Sequence, residues 1–517
     1  MAMEAANGSE TPQKKPRRNK YASACAILAS MSAILIGYDI GVMSGAGIYI
    51  QEEINNVQLE ILNGIINLYA LLGAAAAGRT SDWIGRRYTM VLAGTIFFVG
   101  AFVMGFSFNY GFLMFGRFIA GIGCGYAMTI APVYAAEISP ASYRGFLTSF
   151  PEVFGNGGIL IGYISNYAFS KLPLRLGWRF MLGVGAVPSV LLALTVLIMP
   201  ESPRWLVMQG RLGDAKRVLQ KTSESPQEAE LRLSDIKEAA GIPLDCNNDV
   251  VQVTRKKSHG EGIWRELLIC PTPAVRHVMI AAVGIHFFQQ SSGIDAVVLY
   301  SPTIFARAGI KSSDHKLLAT IAVGFCKTSF ILVATFLLDR VGRRPLILTS
   351  IGGMILSLIA LGTGLTVVDH STPNHAPMWA IVLCITTVMT FVATFSIGLG
   401  PIAWVYSSEI FPLRLRAQGA SIAVGVNRAT SGLISMTFLS LSGAITTEGA
   451  FYLFASVAAI SWVFFYTMMP ETQGRTLEEM EYLFGRYAGW RSAAKELEMK
   501  RKWGGGIGVD NVTITTN

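Results

Sequence analysis

Charge is what this sequence has least of. Asp, Glu, Lys and Arg make up 15% of its 517 residues, against roughly 25% in a soluble globular protein, which excludes an ordinary soluble enzyme. Cysteine is also scarce. The six (Cys25, Cys124, Cys246, Cys270, Cys326, Cys384) form no CxxC pair or Cys/His cluster, and four lie in apolar runs, so no metal site or disulfide framework is expected. There is no nucleophile constellation or nucleotide motif, which argues against an enzyme and a bound cofactor. Neither a filter sequence nor a ring of like charges supports a channel. The basic stretch KKPRRNK (14–20) enters the first apolar run without a small-residue cleavage site, so that run reads as an uncleaved span. The sequons at Asn7 and Asn511 lie in the tails and are idle if those tails are cytosolic.

Apolar residues are plentiful, at 52%, and they come in blocks of about 20, which at a 1.5 Å rise cross the roughly 30 Å hydrocarbon core of a bilayer. Twelve spans are expected, at 22–48, 58–79, 88–107, 111–136, 146–169, 179–199, 274–302, 314–338, 345–367, 378–407, 415–439 and 447–469. The reading is an all-α membrane protein of two pseudo-symmetric six-helix bundles, 21–199 and 274–469. Of the 42 Lys and Arg, 33 fall on the side of the two termini, 6 on the other and 3 within spans, so the termini are expected in the cytosol. The net charge of +9 then reflects insertion bias. No basic stripe with stacking aromatics points to nucleic acid. Residues 200–273, with 11 basic and 11 acidic side chains, read as a cytosolic linker. Its periodic stretches 211–220 and 228–240 predict short helices. Residues 1–20 and 470–517 are the tails.

An internal repeat defines the halves. SDWIGRR (81–87) returns as LDRVGRR (338–344), EISPASYRG (137–145) as EIFPLRLRAQG (409–419), and PESPRWL (200–206) loosely as PETQGRTL (470–477). Each match falls in the same inner loop of its half, so the repeat is parallel, an architecture that places a binding site at the midplane between bundles. Arg and acidic residues recur there: Asp82, Arg86, Arg87, Glu137 and Arg144, then Asp339, Arg343, Arg344, Glu409 and Arg416. They are expected to form a cytosolic gate. Insertion signalling explains arginines alone, but acidic residues contribute little to orientation.

Ionisable groups within spans are costly and mark function by default. They are Asp39, Arg117, Glu152, Asp295, Lys327 and Arg428, with His286. Asp39 and Arg117 lie at similar depths, about 13 and 9 Å from the outer ends of their spans, so they can pair. A carboxylate alternating between an Arg and a proton is what coupling to a proton gradient requires; the alternative is a permanent salt bridge. Lys327 and Arg428 are expected to pair with Glu152 or Asp295. His286 reads as a hydrogen-bonded core residue. Gln289, Gln290 and Asn427 carry amides that both donate and accept, matching a hydroxyl-rich substrate. Trp404 and Tyr300 offer flat faces for it, although packing explains Tyr300 equally well. Helix breakers, GLGP (398–401) and Pro302, are tolerated in spans only beside protein or water.

The motifs GYDIGVMSG, SDWIGRR, GRFIAGIGCG, PESPRWL, QQSSGID, DRVGRR, GPIAW, EIFPLRLR and PETQGRTLEE resemble the sugar porter family of the major facilitator superfamily over residues 20–485. PEVFGNGG, GIDAVVLYSP and the lysine in GFCKTS resemble its plant polyol/monosaccharide transporters. That resemblance implies proton symport of linear polyols and of hexoses or pentoses at the plasma membrane, the vacuolar membrane being the alternative, by a monomer in the lipid bilayer. It implies sugar contacts for Gln289, Gln290, Trp404 and Asn427, and proton coupling for Asp39 with Arg117. Where hexose carriers have Gln, Asn and Asn, this chain has Glu152, Asp295 and Lys327. An internally compensated charge cluster is therefore expected to read extended polyols through charge-assisted hydrogen bonds. A passive uniporter and a non-transporting sensor are the other readings.

Overall fold

The computed structural model describes residues 19–51, 54–139, 147, 149–240, 242–243, 248–251, 267, 269–371, 377–411, 415–473, 483–484, 492 and 495–496. Nineteen helices and one bridge between Arg211 and Val250 are the regular structure among them. The first half runs α1 (Lys20–Ser30), α2 (Ala33–Ile50), α3 (Asn56–Ile84), α4 (Arg86–Gly105), α5 (Tyr110–Ile138), α6 (Phe150–Phe169), α7 (Leu174–Gly183) and α8 (Ala186–Ile198). Short helices α9 (Pro203–Met208), α10 (Leu212–Thr222) and α11 (Pro226–Ala239) follow. The second half runs α12 (Pro273–Ser291), α13 (Ile294–Arg307), α14 (Ser313–Val341), α15 (Arg343–Asp369), α16 (Met378–Ile397), α17 (Leu399–Ile410), α18 (Arg416–Ile445) and α19 (Thr447–Met468).

Among the described residues, nine segments are long and apolar enough to cross a bilayer. The three expected spans outside that set, α6, α12–α13 and α18, are those carrying Glu152, Gln289, Gln290, Asp295, Asn427 and Arg428. Their polar residues dilute the apolar signal.

Several helices begin where side chains satisfy free N–H groups. Asn19 accepts from the N–H of Tyr21 and Ala22, Asn55 and Gln58 form a capping box, and Asn109 accepts from Phe112 N–H at 2.8 Å. Close packing within a half relies on glycine. A Cβ at Gly41 of α2 would sit 2.3 Å from the Ile159 carbonyl of α6, and one at Gly162 of α6 would sit 2.7 Å from Val42 N. Small residues at this spacing let two backbones touch where no hydrophobic effect separates helix from lipid.

Helices α9–α11 sit at one end of the bundle, called here the linker end. Trp205 Nε1 and Gln209 Nε2 donate to the Asp82 carbonyl at 3.1 and 3.2 Å, and Arg232 donates to the carbonyls of Glu137, Ile138 and Ser139. Contacts between the halves run through α3 with α18, α6 with α14, and α2 with α13. Bonds joining the halves gather toward the opposite, far end. They include Lys171 Nζ to Asp314 Oδ2 at 2.6 Å, Tyr163 hydroxyl to the Val298 carbonyl at 2.6 Å, and Ser440 N–H to Glu60 at 2.7 Å.

Candidate transport site

Two broken helices form one side of the site. Between α16 and α17 the chain leaves helical geometry at Gly398 (φ −123°, ψ −82°). At the start of α17 the carbonyls of Leu399 and Gly400 accept from Gln289 Nε2 at 3.4 and 2.8 Å. Between α12 and α13, Gly293 turns the chain through φ +83°, a left-handed conformation natural to glycine. Helix α13 then restarts with Asp295 in its first turn, where a carboxylate complements the helix dipole. The GLGP break falls where expected. The break at Gly293 was not anticipated, and beside Pro302 the chain is kinked at Tyr300 (φ −107°, ψ 18°) rather than interrupted.

The amides form one network. Asn427 Nδ2 donates to Gln289 Oε1 at 2.7 Å and contacts His286 Nδ1 at 3.3 Å, while Gln290 Nε2 donates to Asn427 Oδ1 at 3.2 Å. His286 is completed by Ser407 Oγ at 3.2 Å and by the edge of Trp404, with ring centroids 5.1 Å apart, so it is the hydrogen-bonded core residue expected. Gln290 Oε1 is buried without a partner among the described residues. It is an acceptor with capacity for a further donor.

Asp39 on α2 and Arg117 on α5 meet as expected. Arg117 Nη1 lies 2.6 Å from both carboxylate oxygens, and its Nε donates to the Leu62 carbonyl of α3 at 3.1 Å. Both side chains are buried. Beside them is a small cavity shared with Asn63, Asn67, Asp295 and Ser435, so the acid of each half borders the same space.

The expected pairing of the other charges is not what the structure shows. Lys327 is buried and Arg428 half-buried, and neither lies within 4 Å of a carboxylate among the described residues. Asp295 accepts from Ser431 Oγ instead, Glu152 from Asn156 Nδ2 at 3.3 Å, and Arg428 Nη1 reaches Asn67 Oδ1 at 3.4 Å. The four charges stand on α6, α13, α14 and α18, and the carboxylates take neutral donors on their own or an adjoining helix. Tyr300 is a second correction. Its hydroxyl donates to the Ser435 carbonyl at 2.8 Å and one face of its ring stacks on Phe438, so it packs the half rather than offering a platform.

At the linker end the repeated motifs build the same constellation twice. Gly85 and Gly342 have φ +97° and +95° and open α4 and α15. Glu201 accepts from the N–H groups of Arg86 and Arg87, and Glu471 from those of Arg343 and Arg344, capping each helix with a carboxylate. A Cβ on either glycine would meet the capping carboxylate at 2.3 or 2.9 Å. Arg86 pairs with Glu137 at 3.2 Å and with Asp82 at 2.9 Å, and Arg343 with Glu409 at 2.8 Å. Arg87 and Arg344 donate to the carbonyls of Leu197 and Tyr466. These bonds join helices of one half, not one half to the other. Arg144 lies outside the described residues, as do the side chains of Asp339 and Arg416.

Sequence reading missed Glu201 and Glu471, although their repeat was in view. It also missed Glu60 and the amides Asn63 and Asn67, the latter two four apart on one face of α3.

Residues 25–484 match the family described as "Sugar (and other) transporter". The chain belongs to this transporter family. Its members are carriers rather than enzymes, and the chain is a multi-pass membrane protein. Polyol transporter 5 of Arabidopsis thaliana is 71% identical over 94% of this chain and 90% of its own. The glucose transporter GlcP of Staphylococcus epidermidis is 33% identical over 90% and 98%. Among solved structures, the major facilitator superfamily proton:xylose symporter XylE bound to 6-bromo-6-deoxy-D-glucose superposes with a TM-score of 0.73 at 27% identity. It covers 90% of this chain and all of that one.

Proposed function

We propose that the protein is a proton-coupled symporter of linear polyols, of the sorbitol, mannitol and xylitol type, and of monosaccharides. It works by alternating access between bundles 21–199 and 274–469 of six spans each. The linker 200–273 and both tails face the cytosol, and the protein acts as a monomer in the plasma membrane. The observation that carries this is the buried Asp39–Arg117 pair beside a cavity it shares with Asp295. A proton arriving at Asp39 releases Arg117, so the pair has two states that a gradient can drive. Relatives named polyol transporters and a neighbour named a proton:xylose symporter support the substrate class and the coupling.

Substrate hydroxyls meet the free Gln290 Oε1, the partly exposed Trp404 face and the charges of Glu152, Asp295 and Lys327. The repeated arginine–carboxylate sets at the linker end hold each bundle rigid as it rocks and form the cytosolic gate. Lys327→Asn and Asp295→Asn test the site: selectivity for sorbitol over glucose should shift, and unchanged selectivity would contradict it. The closeness of Arg117 to both Asp39 oxygens favours a second reading, a passive uniporter with a permanent salt bridge. A protonophore separates the two, since it collapses accumulation only in the symporter.

A further inference from the structure

Helix α3 holds an arginine from each half. Its Leu62 carbonyl accepts from Arg117 Nε of the first half at 3.1 Å, and its Asn67 Oδ1 accepts from Arg428 Nη1 of the second half at 3.4 Å. The face between them is fixed to α18 along its length. Glu60 accepts from Ser440 N–H and from the Ser440 hydroxyl. A Cβ on Gly64 would lie 2.2 Å from Met436 Cγ and 2.6 Å from the Gly432 carbonyl. Residues 60, 64 and 67 form one stripe on α3, meeting α18 from the far end down to Arg428.

We propose that Asn67 is a positioning residue that couples the charges of the second half, through Arg428, to the Asp39–Arg117 pair. The proposal rests on the symport reading above. Asn67 borders the cavity that also touches Asp39, Arg117 and Asp295. Arg428 Nε has no partner among the described residues, so Asn67 is the side chain that fixes this guanidinium. The charged groups around the cluster are Asp39 on α2, Arg117 on α5, Glu152 on α6, Asp295 on α13, Lys327 on α14 and Arg428 on α18. When Arg428 shifts toward substrate or toward Asp295, Asn67 is pulled with it. The same helix carries the Leu62 carbonyl that steadies Arg117, so the exchange of Arg117 for a proton at Asp39 senses the occupancy of the other half.

The test measures substrate-induced charge per labelled sorbitol taken up by the full-length chain in voltage-clamped cells, at two external pH values, with sorbitol counterflow as the control for folding and binding. Asn67→Ala should lower the charge per sorbitol about tenfold, as expected for losing a hydrogen bond to a charged group. It should also flatten the pH profile while counterflow stays within about twofold. Asn67→Gln, which keeps the carbonyl acceptor, should restore most of the coupling. A wild-type ratio and pH profile in the alanine variant would overturn the proposal. If that variant does not reach the membrane, Asn67→Ser decides, since its hydroxyl is too short to reach Arg428, and normal coupling there overturns it equally. Wild-type sorbitol uptake without charge movement would instead overturn the symport reading itself.

Discussion

At the residue scale, two neighbouring glutamines divide the work. Gln289 is spent on the backbone, donating to the carbonyls of Leu399 and Gly400 beside the Gly398 break, whereas Gln290 keeps an oxygen without a partner among the described residues. Gln290→Ala should therefore raise the KM for sorbitol about fivefold, the cost of one neutral hydrogen bond, with little loss of protein from the membrane. Gln289→Ala should lower the amount of folded protein, because it removes the buried bonds that tie α12 to α17 and to Asn427. Uptake kinetics together with surface expression check both. These residues were legible as polar groups in an apolar run, and Asp39 and Arg117 were legible as a pair from depth alone. The partners of Lys327 and Arg428 were not. Depth along a helix does not fix which way a side chain turns, and the nearest neutral donor took each carboxylate first.

At the element scale, the repeated turn before α4 and α15 works because three requirements coincide: a positive φ, room for a carboxylate, and free N–H groups at a helix start. The glycine and arginines of SDWIGRR were readable as a motif. The glutamate that caps them was not, because it lies more than a hundred residues further along the chain and only folding brings it there. Glu201 lies outside the spans, and burial raises its carboxyl above the ordinary 4.5, outweighing the N–H groups of Ser202, Arg87 and Arg86 that act the other way. The folded state thus holds more protons than the unfolded chain in the window above pH 4.5. Its contribution to stability is present below that window and is lost as pH rises through the folded value. The slope of Tm against pH in this window should be less negative in Glu201→Gln than in the wild type, measured by thermal unfolding in detergent. Parallel slopes would contradict this account.

At the scale of the whole molecule, the bonds between the halves gather toward the far end, where Glu60 grips α18 and Lys171 meets Asp314. The two-bundle plan was legible from the parallel repeat. This closure was not, since a repeat reports how each half is built and says nothing of how the halves meet. Glu60→Ala should loosen the far end. A cysteine placed at Leu299, beside the cavity, should then react severalfold faster with an impermeant thiol reagent added outside intact cells, because both bonds from Ser440 to Glu60 are lost. Unchanged labelling would mean that Glu60 does not hold the gate.

The central claim is that Asp39, released from Arg117, carries the proton that drives substrate inward. Its most direct test is the sorbitol-induced current in voltage-clamped cells at two external pH values, in wild type and in Asp39→Asn. The account predicts an inward current that grows as the outside is acidified, and that disappears in Asp39→Asn while sorbitol counterflow persists. Sorbitol uptake without current in the wild type, or an undiminished current in Asp39→Asn, would contradict it.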